Sequence, residues 1–237
     1  MFLVNLDPLA MIAAMPRGGV VAEIGVAAGD LSAQILQICR PARLHLIDPW
    51  EKQAVDDGGL DPNNLPNDAQ EVRYRAVLDR FAGPVAAGQV FVHRAYSQAI
   101  AGQFPDGYFD WVYVDGSHLY EHVVADLRLY APKLKPDGLF LGDDYVNGGM
   151  YDRMKFGVIP AVHDFLRESG QAFLALGARG TFLLAKAPAS VAAQQALFKV
   201  LSAAGDFLVE VRDPTKHDVE TRSSRLADGK HLFYVSL

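Results

Sequence analysis

Read for its hydrophobic and polar positions, the chain alternates short apolar runs with stretches of helical period over most of its length. The runs at 19–23, 43–48, 90–93, 109–115 and 139–143 read as five strands, the last one preceded by the turn Pro136-Asp137-Gly138. Between them, Leu31, Ile35 and Ile38 fall on one face of a helix that Asp30 can cap. Tyr120, Val123, Val124, Leu127 and Ala131 trace one face of another, and helices are also expected over 72–81 and 158–168. Strands alternating with helices argue for a parallel sheet covered on both faces.

Two regions break this rhythm. Residues 52–70 are polar and carry Asp61-Pro62-Asn63-Asn64 and Leu65-Pro66, which predicts a long loop of the kind that often shapes a binding site. Beyond Gly170 the pattern becomes strand, turn, strand over 172–185, a hairpin turning at Gly177-Ala178-Arg179-Gly180. A helix over 192–203 and strand-like runs at 207–211 and 231–235 follow. The expected architecture is a doubly wound, Rossmann-like α/β fold with a seven-stranded sheet that ends in an antiparallel hairpin. Residues 1–186 form the expected domain, with 187–237 as an extension packed on it or at a homodimer contact.

Composition narrows the function classes. A length of 237 residues with 50% hydrophobic residues is enough for one α/β domain with a substantial core. The net charge of -6 gives no basic face for nucleic acid. The single cysteine, Cys39, excludes a disulfide within the chain and suits a reducing compartment. Asp7 and Pro8 interrupt the first apolar run, so no signal peptide is expected, and no apolar stretch reaches the length of a membrane span. A soluble cytoplasmic protein acting on a small molecule, without a nucleic-acid or membrane partner, is the expectation.

The chemistry starts at Glu23-Ile24-Gly25-Val26-Ala27-Ala28-Gly29, between the first strand and the first of the alternating helices. Glycines in such a turn let the backbone approach a ligand closely and aim helix N–H groups at it. The dinucleotide fingerprint is absent, because Ala27 occupies the place of its second glycine, which disfavours NAD. Asp48 closes the second strand, where a carboxylate can accept hydrogen bonds from both hydroxyls of a ribose.

On these residues the chain resembles the class I S-adenosylmethionine-dependent methyltransferases over about residues 15–186. The segment Glu23 to Gly29 matches their first motif, Asp48 their acidic residue after strand two, and the hairpin their distinguishing antiparallel strand. The resemblance implies that Glu23, Gly25 and Gly29 line the methionine end of the cofactor and that Asp48 holds its ribose. Trp50 would pack beside the sugar or adenine, and Ser97, in His93-Arg94-Ala95-Tyr96-Ser97, would lie near the adenine.

Strand four ends in Asp115-Gly116-Ser117-His118 and strand five in Asp143-Asp144-Tyr145. In the methyltransferase strand order these ends are neighbours, so three carboxylates converge on the crevice, Asp115 reaching the cofactor as well. Converging carboxylates repel unless a proton or cation is shared, and oxygen ligands favour a hard ion such as magnesium. The pattern resembles metal-dependent O-methyltransferases of the catechol, caffeoyl-coenzyme-A and macrocin types, more closely a bacterial group with Asp115-Gly116-Ser117-His118-Leu119-Tyr120-Glu121, Lys135-Pro136-Asp137-Gly138 and the acidic pair before Tyr145. It implies a metal on Asp115, Asp143 and Asp144, and His118 where the catechol type has a catalytic lysine. Tyr145 and the 52–70 loop would then shape an acceptor pocket. The alternatives are a metal-independent methyltransferase and a non-catalytic adenosyl-ligand-binding protein.

Overall fold

The computed structural model describes residues 1–54, 61–148, 150–205, 207–216, 220–225 and 231–236. A nine-stranded sheet runs through it. Its strands are β1 (Phe2–Val4), β2 (Val20–Ile24), β3 (Arg43–Asp48), β4 (Val90–Arg94), β5 (Phe109–Val114), β6 (Leu134–Gly142), β7 (Ala172–Gly177), β8 (Phe182–Ala185) and β9 (Leu208–Glu210), in the spatial order β4-β3-β2-β5-β6-β8-β7-β1-β9. The strands from β4 to β6 pair in parallel, and β8 runs antiparallel to both β6 and β7. The expected seven strands and hairpin are therefore present, in a class I methyltransferase arrangement. Two strands are added at the far edge.

Those two extend the sheet by non-local pairing. β1 lies parallel to β7 and antiparallel to β9. The terminal ammonium of Met1 donates to Val211 O at 2.9 Å, and Val211 N donates to Met1 O at 2.8 Å. A further pair, β10 (Glu220–Arg225) and β11 (His231–Ser236), makes a separate two-stranded sheet. The polar sequence of β10 carries no apolar alternation, so only its partner is visible in the sequence.

The helices are α1 (Pro8–Ala13), α2 (Asp30–Cys39), α3 (Asn67–Arg80), α4 (Ala82–Ala86), α5 (Ser97–Ile100), α6 (Tyr120–Tyr130), α7 (Met150–Arg153), α8 (Val158–Ser169) and α9 (Val191–Ala203). Strand alternation divides the core into two faces. Val112, Val114 and Phe140 pack with Val123 and Leu127 of α6 and Phe165 of α8. Trp111, Tyr113, Leu139 and Leu141 face the other way and join Met11, Ile35 and Val200 of α1, α2 and α9. Among the described residues no helix is long and apolar enough to cross a membrane.

Two local expectations are corrected. Asp30 does not cap α2: Gly29 stands at the cap position with φ +77°, and Asp30 is the first helical residue, its carboxylate bound by Arg80 at 2.6 Å. The polar 52–70 segment is not loop throughout, because α3 starts at Asn67 just after Pro66. Only Gln70 and Val77 of α3 are buried, so its first turn has no apolar stripe to reveal it.

Phe140→Ala removes a fully buried ring from the central strand pair and is expected to destabilise the fold by about 3–5 kcal/mol. Phe198→Ala, at a side chain 72% exposed, is expected to stay within about 0.5 kcal/mol of the parent. Urea denaturation of both variants checks this.

Candidate active site at the carboxyl ends of the central strands

The strand order reverses between β2 and β5, which opens a crevice at their carboxyl ends. A cavity of about 570 Å³ lies there. Its floor is the turn after β2. Gly25 N donates to Ile47 O at 2.9 Å, and Asp115 N donates to Ile24 O at 2.9 Å, tying the turn to both neighbouring strands. Gly25 has φ +87°, and a Cβ there would stand 1.9 Å from the main-chain oxygen of Asp115. No other residue fits this position. Gly29 answers a different constraint, since its Cβ would meet the Phe81 ring at 2.8 Å. Ala27 adopts the left-handed conformation at φ +48° despite its side chain.

Asp48 braces this turn. Its Oδ2 accepts from Val26 N at 2.9 Å and Ala27 N at 3.0 Å, and its Oδ1 accepts from Trp50 N at 2.7 Å. A carboxylate offers about four acceptor sites, so one remains for a ligand hydroxyl. Asp48 lines the cavity. Trp50 does not: it is buried, its Nε1 donates to Ala27 O at 2.9 Å, and its ring packs on Tyr74. It supports the glycine turn from behind rather than offering a face to the cavity.

Glu23 lines the cavity yet is fully buried, and neither carboxyl oxygen has a hydrogen-bond partner. Burial pushes its pKa from 4.5 up to about 8; the nearby Ser32 hydroxyl, itself without a partner at hydrogen-bond geometry, opposes the shift, and Asp48 adds to it. On the far wall, Ser97 Oγ donates to Asp126 Oδ1 at 2.5 Å, and Gln98 Nε2 donates to the same oxygen at 2.9 Å. Burial pushes Asp126 up to about 7, with Ser97 opposing. Asp126 and Gln98 were not singled out in the sequence, although a carboxylate among Val123, Val124 and Leu127 on the inner face of α6 is the signal that would have found Asp126.

Asp115, His118 and Asp144 come together at the end of β5, with one ligand atom from each within 4.8 Å of the others. His118 Nδ1 lies 3.0 Å from Asp144 Oδ2, and the imidazole stacks on Phe156. Asp144 takes φ +60°. Asp143 lines the cavity but is turned toward the protein: Thr181 Oγ1 donates to its Oδ1 at 3.0 Å and Tyr113 OH to its Oδ2 at 3.4 Å. The third residue of the Asp143-Asp144-Tyr145 stretch, Tyr145, is fully buried against Phe173 and hydrogen-bonded to His163, away from the cavity. From the 52–70 segment, Gln53, Asp61, Asn63, Asn64 and Gln70 do line it.

The charges are strongly coupled. Burial and then Asp143, Asp144 and Glu23 push the Asp115 carboxyl well above the usual range. Burial, followed by Asp144, pushes Asp143 up to about 6, against hydrogen bonds from Thr181, the Asp144 main chain and Tyr113. For His118 burial acts downward, but the Asp144 hydrogen bond and the charges of Asp144, Asp61 and Asp143 outweigh it, and the net shift is upward. Close carboxylates of this kind are relieved by a shared proton or a cation.

Two expected outcomes follow from this geometry. A carboxyl whose pKa rises on folding keeps a proton that the unfolded chain has lost, so its folded state loses stability as pH climbs from the unfolded value of 4.5 to the folded value of about 8. Glu23→Gln should therefore flatten the decline of stability across that window, as read by denaturant titrations at stepped pH. Gly88→Ala, at φ +69° with open space around it, should cost about 1–2 kcal/mol. Gly25→Ala adds a main-chain overlap to the same backbone strain and should cost at least about 3 kcal/mol. Comparing the two denaturation midpoints separates strain from collision.

Comparison with known proteins agrees with the geometry. Residues 22–145 match the family model described as a methyltransferase domain, 124 of 237 residues. No curated protein matches the chain in sequence. Among solved structures, a protein from Corynebacterium glutamicum superposes with TM-score 0.51 at 16% identity, covering 76% of this chain and 78% of that one. The O-methyltransferase NcsB1 of neocarzinostatin biosynthesis, solved with S-adenosylmethionine and 2-hydroxy-5-methyl naphthoic acid, gives TM-score 0.50 at 17% identity, over 76% of this chain and 52% of that one. The methyltransferase CalH, solved with S-adenosylhomocysteine, gives TM-score 0.50 at 14% identity, over 76% and 54%. The chain thus spans about half the length of the latter two, and at these identities the likeness is one of fold. On the family match, which includes the glycine turn, Asp48, Asp115 and the acidic pair, the chain belongs to the methyltransferase domain family.

Proposed function

We propose that this chain transfers the methyl group of S-adenosylmethionine to a hydroxyl of a small acceptor. The observation that carries the reading is the fully buried, partnerless carboxyl of Glu23 facing a cavity floored by the glycine turn. An unpaired buried carboxyl is costly in isolation, and the α-ammonium of S-adenosylmethionine offers it a hydrogen-bond donor. Asp48 retains an acceptor site for a ribose hydroxyl, while Ser97 and Gln98 line the opposite wall with Asp126. These residues fit an adenosyl amino acid better than a dinucleotide, whose second glycine is replaced by Ala27.

When bound, the cofactor supplies a sulfonium methyl: the acceptor oxygen forms the new C–O bond, the C–S bond breaks to a neutral thioether, and the hydroxyl proton is released. Asp115, His118 and Asp144 are the donor set that fits a divalent cation, two carboxylates and one imidazole on one side of the cavity. That mixture suits manganese or zinc as well as the magnesium expected from carboxylates alone. A cation there would lower the pKa of an acceptor hydroxyl. Asp143, the other carboxylate expected to hold the ion, is instead engaged by Thr181 and Tyr113.

The 3.0 Å contact between His118 and Asp144 favours a second, metal-free reading. Neutral His118 donating from Nδ1 to Asp144 presents Nε2 as the proton acceptor for the hydroxyl, with Asp144 fixing tautomer and orientation.

Calorimetric titration tests both. S-adenosylhomocysteine should bind and NAD should not; the reverse result sinks the proposal. In the metal reading, Mg²⁺ or Mn²⁺ binds the parent chain and Asp144→Ala weakens that binding at least about tenfold. In the metal-free reading no cation binds, and His118→Gln slows S-adenosylhomocysteine release with a responding catechol or sugar acceptor by about a hundredfold or more.

A further inference from the structure

The cavity wall is rich in carboxyl groups, yet among its described residues it carries one arginine and no lysine. That arginine, Arg73, differs from the other two on its helix. Arg75 pairs with Glu71 at 2.8 Å and Arg80 with Asp30 at 2.6 Å. Glu71, the carboxylate nearest to Arg73 in sequence on α3, is also taken by Arg94 at 2.7 Å. Arg73 instead donates only to uncharged oxygens of one residue: NH1 to Asn63 O at 3.2 Å and NH2 to Asn63 Oδ1 at 3.3 Å. Gln70 Nε2 donates to the main-chain oxygen of Asn63 at 2.8 Å. The guanidinium is thus fixed at the rim between α3 and the 61–66 segment with no carboxylate on it among the described residues.

A cation that leaves so many nearby carboxylates unpaired is kept for a charge that arrives with a ligand. A ligand anion entering this cavity meets the carboxylates of Asp48 and Asp61 and is repelled unless a cation receives it. A neutral or purely cationic ligand needs no such receiver. The guanidinium has five N–H donors, of which two are engaged, and its planar fork matches a carboxylate.

We propose that Arg73 is the carboxylate-binding residue of this cavity. The inference rests on the methyl-transfer reading above, which supplies two sources of a carboxylate: the amino-acid end of the cofactor, or an acid group on the acceptor. In the first case Glu23 takes the ammonium and Arg73 the carboxylate of one amino acid. In the second, Arg73 selects acidic acceptors over neutral ones.

Calorimetry on the full chain, Arg73→Met and Arg73→Lys separates the cases with two probe pairs. S-adenosylhomocysteine against 5′-methylthioadenosine differs by the amino-acid end. With S-adenosylhomocysteine saturating, 3,4-dihydroxybenzoate against catechol differs by the acceptor carboxylate. The parent chain is expected to prefer the carboxylate-bearing member of one pair. Arg73→Met should weaken that member alone by roughly tenfold to a hundredfold, and Arg73→Lys should retain part of the preference. The pair that responds identifies the source. The proposal is overturned if Arg73→Met, with an unchanged melting temperature, leaves both pairs as in the parent, or if the parent shows no carboxylate preference in either. Should Arg73→Met not fold, Arg73→Lys behaving as the parent in the responding pair, with no loss at all, also overturns it, since an ammonium lacks the fork. A parent chain that binds neither S-adenosylhomocysteine nor 5′-methylthioadenosine fails the methyl-transfer reading instead.

Discussion

The site depends on one main-chain contact. The turn after β2 passes so close to the end of β5 that Gly25 has room for a hydrogen and nothing more beside the Asp115 carbonyl. This contact sits at the strand-order reversal, so it sets the depth of the crevice and the height at which Asp115 emerges. Asp48 and Trp50 hold the other side of the same turn, one through its carboxylate and one through its indole N–H. Loop geometry that would otherwise be soft is thereby fixed by three neighbouring strands.

Much of this was legible in the sequence, for physical reasons that can be named. β2 to β5 are bounded apolar runs, and the period-2 alternation of Trp111 to Val114 survives intact in the two-faced core, whereas β6 begins at Leu134 and takes in Pro136-Asp137-Gly138, expected as a turn before it. Asp115, His118 and Asp144 were all singled out, because strand ends in this topology meet. Asp143 and Asp144 were read as facing the crevice together, and both line it, but Asp143 spends its oxygens on Thr181 and Tyr113, partners far away in sequence, while Asp144 meets Asp115 and His118. Trp50 was expected beside the ligand because the family resemblance implied it; its burial is a tertiary fact. β1 was invisible because three residues carry no period, and its pairing partners lie far along the chain.

Electrostatics and stability pull against each other at this site. Glu23, Asp126 and Asp143 all titrate upward because burial disfavours their charged forms. Such groups weaken a fold at neutral pH, and a cavity that retains them trades stability for attraction of cations. The sulfonium and ammonium of an adenosyl amino acid are cations of that kind, which is why the acidity of the cavity and the proposed ligand belong together.

The far edge of the sheet carries a kinetic consequence. β1 is held between β7 and β9, strands about 170 and 205 residues later in the chain. β1 has no partner on this edge until the much later β7 and β9 segments have been made. The β2 to β6 half can assemble from neighbouring segments while synthesis continues, whereas closure of this edge is a late, long-range event. The clasp between Met1 and Val211 joins residues 210 positions apart, so it belongs to the same long-range closure.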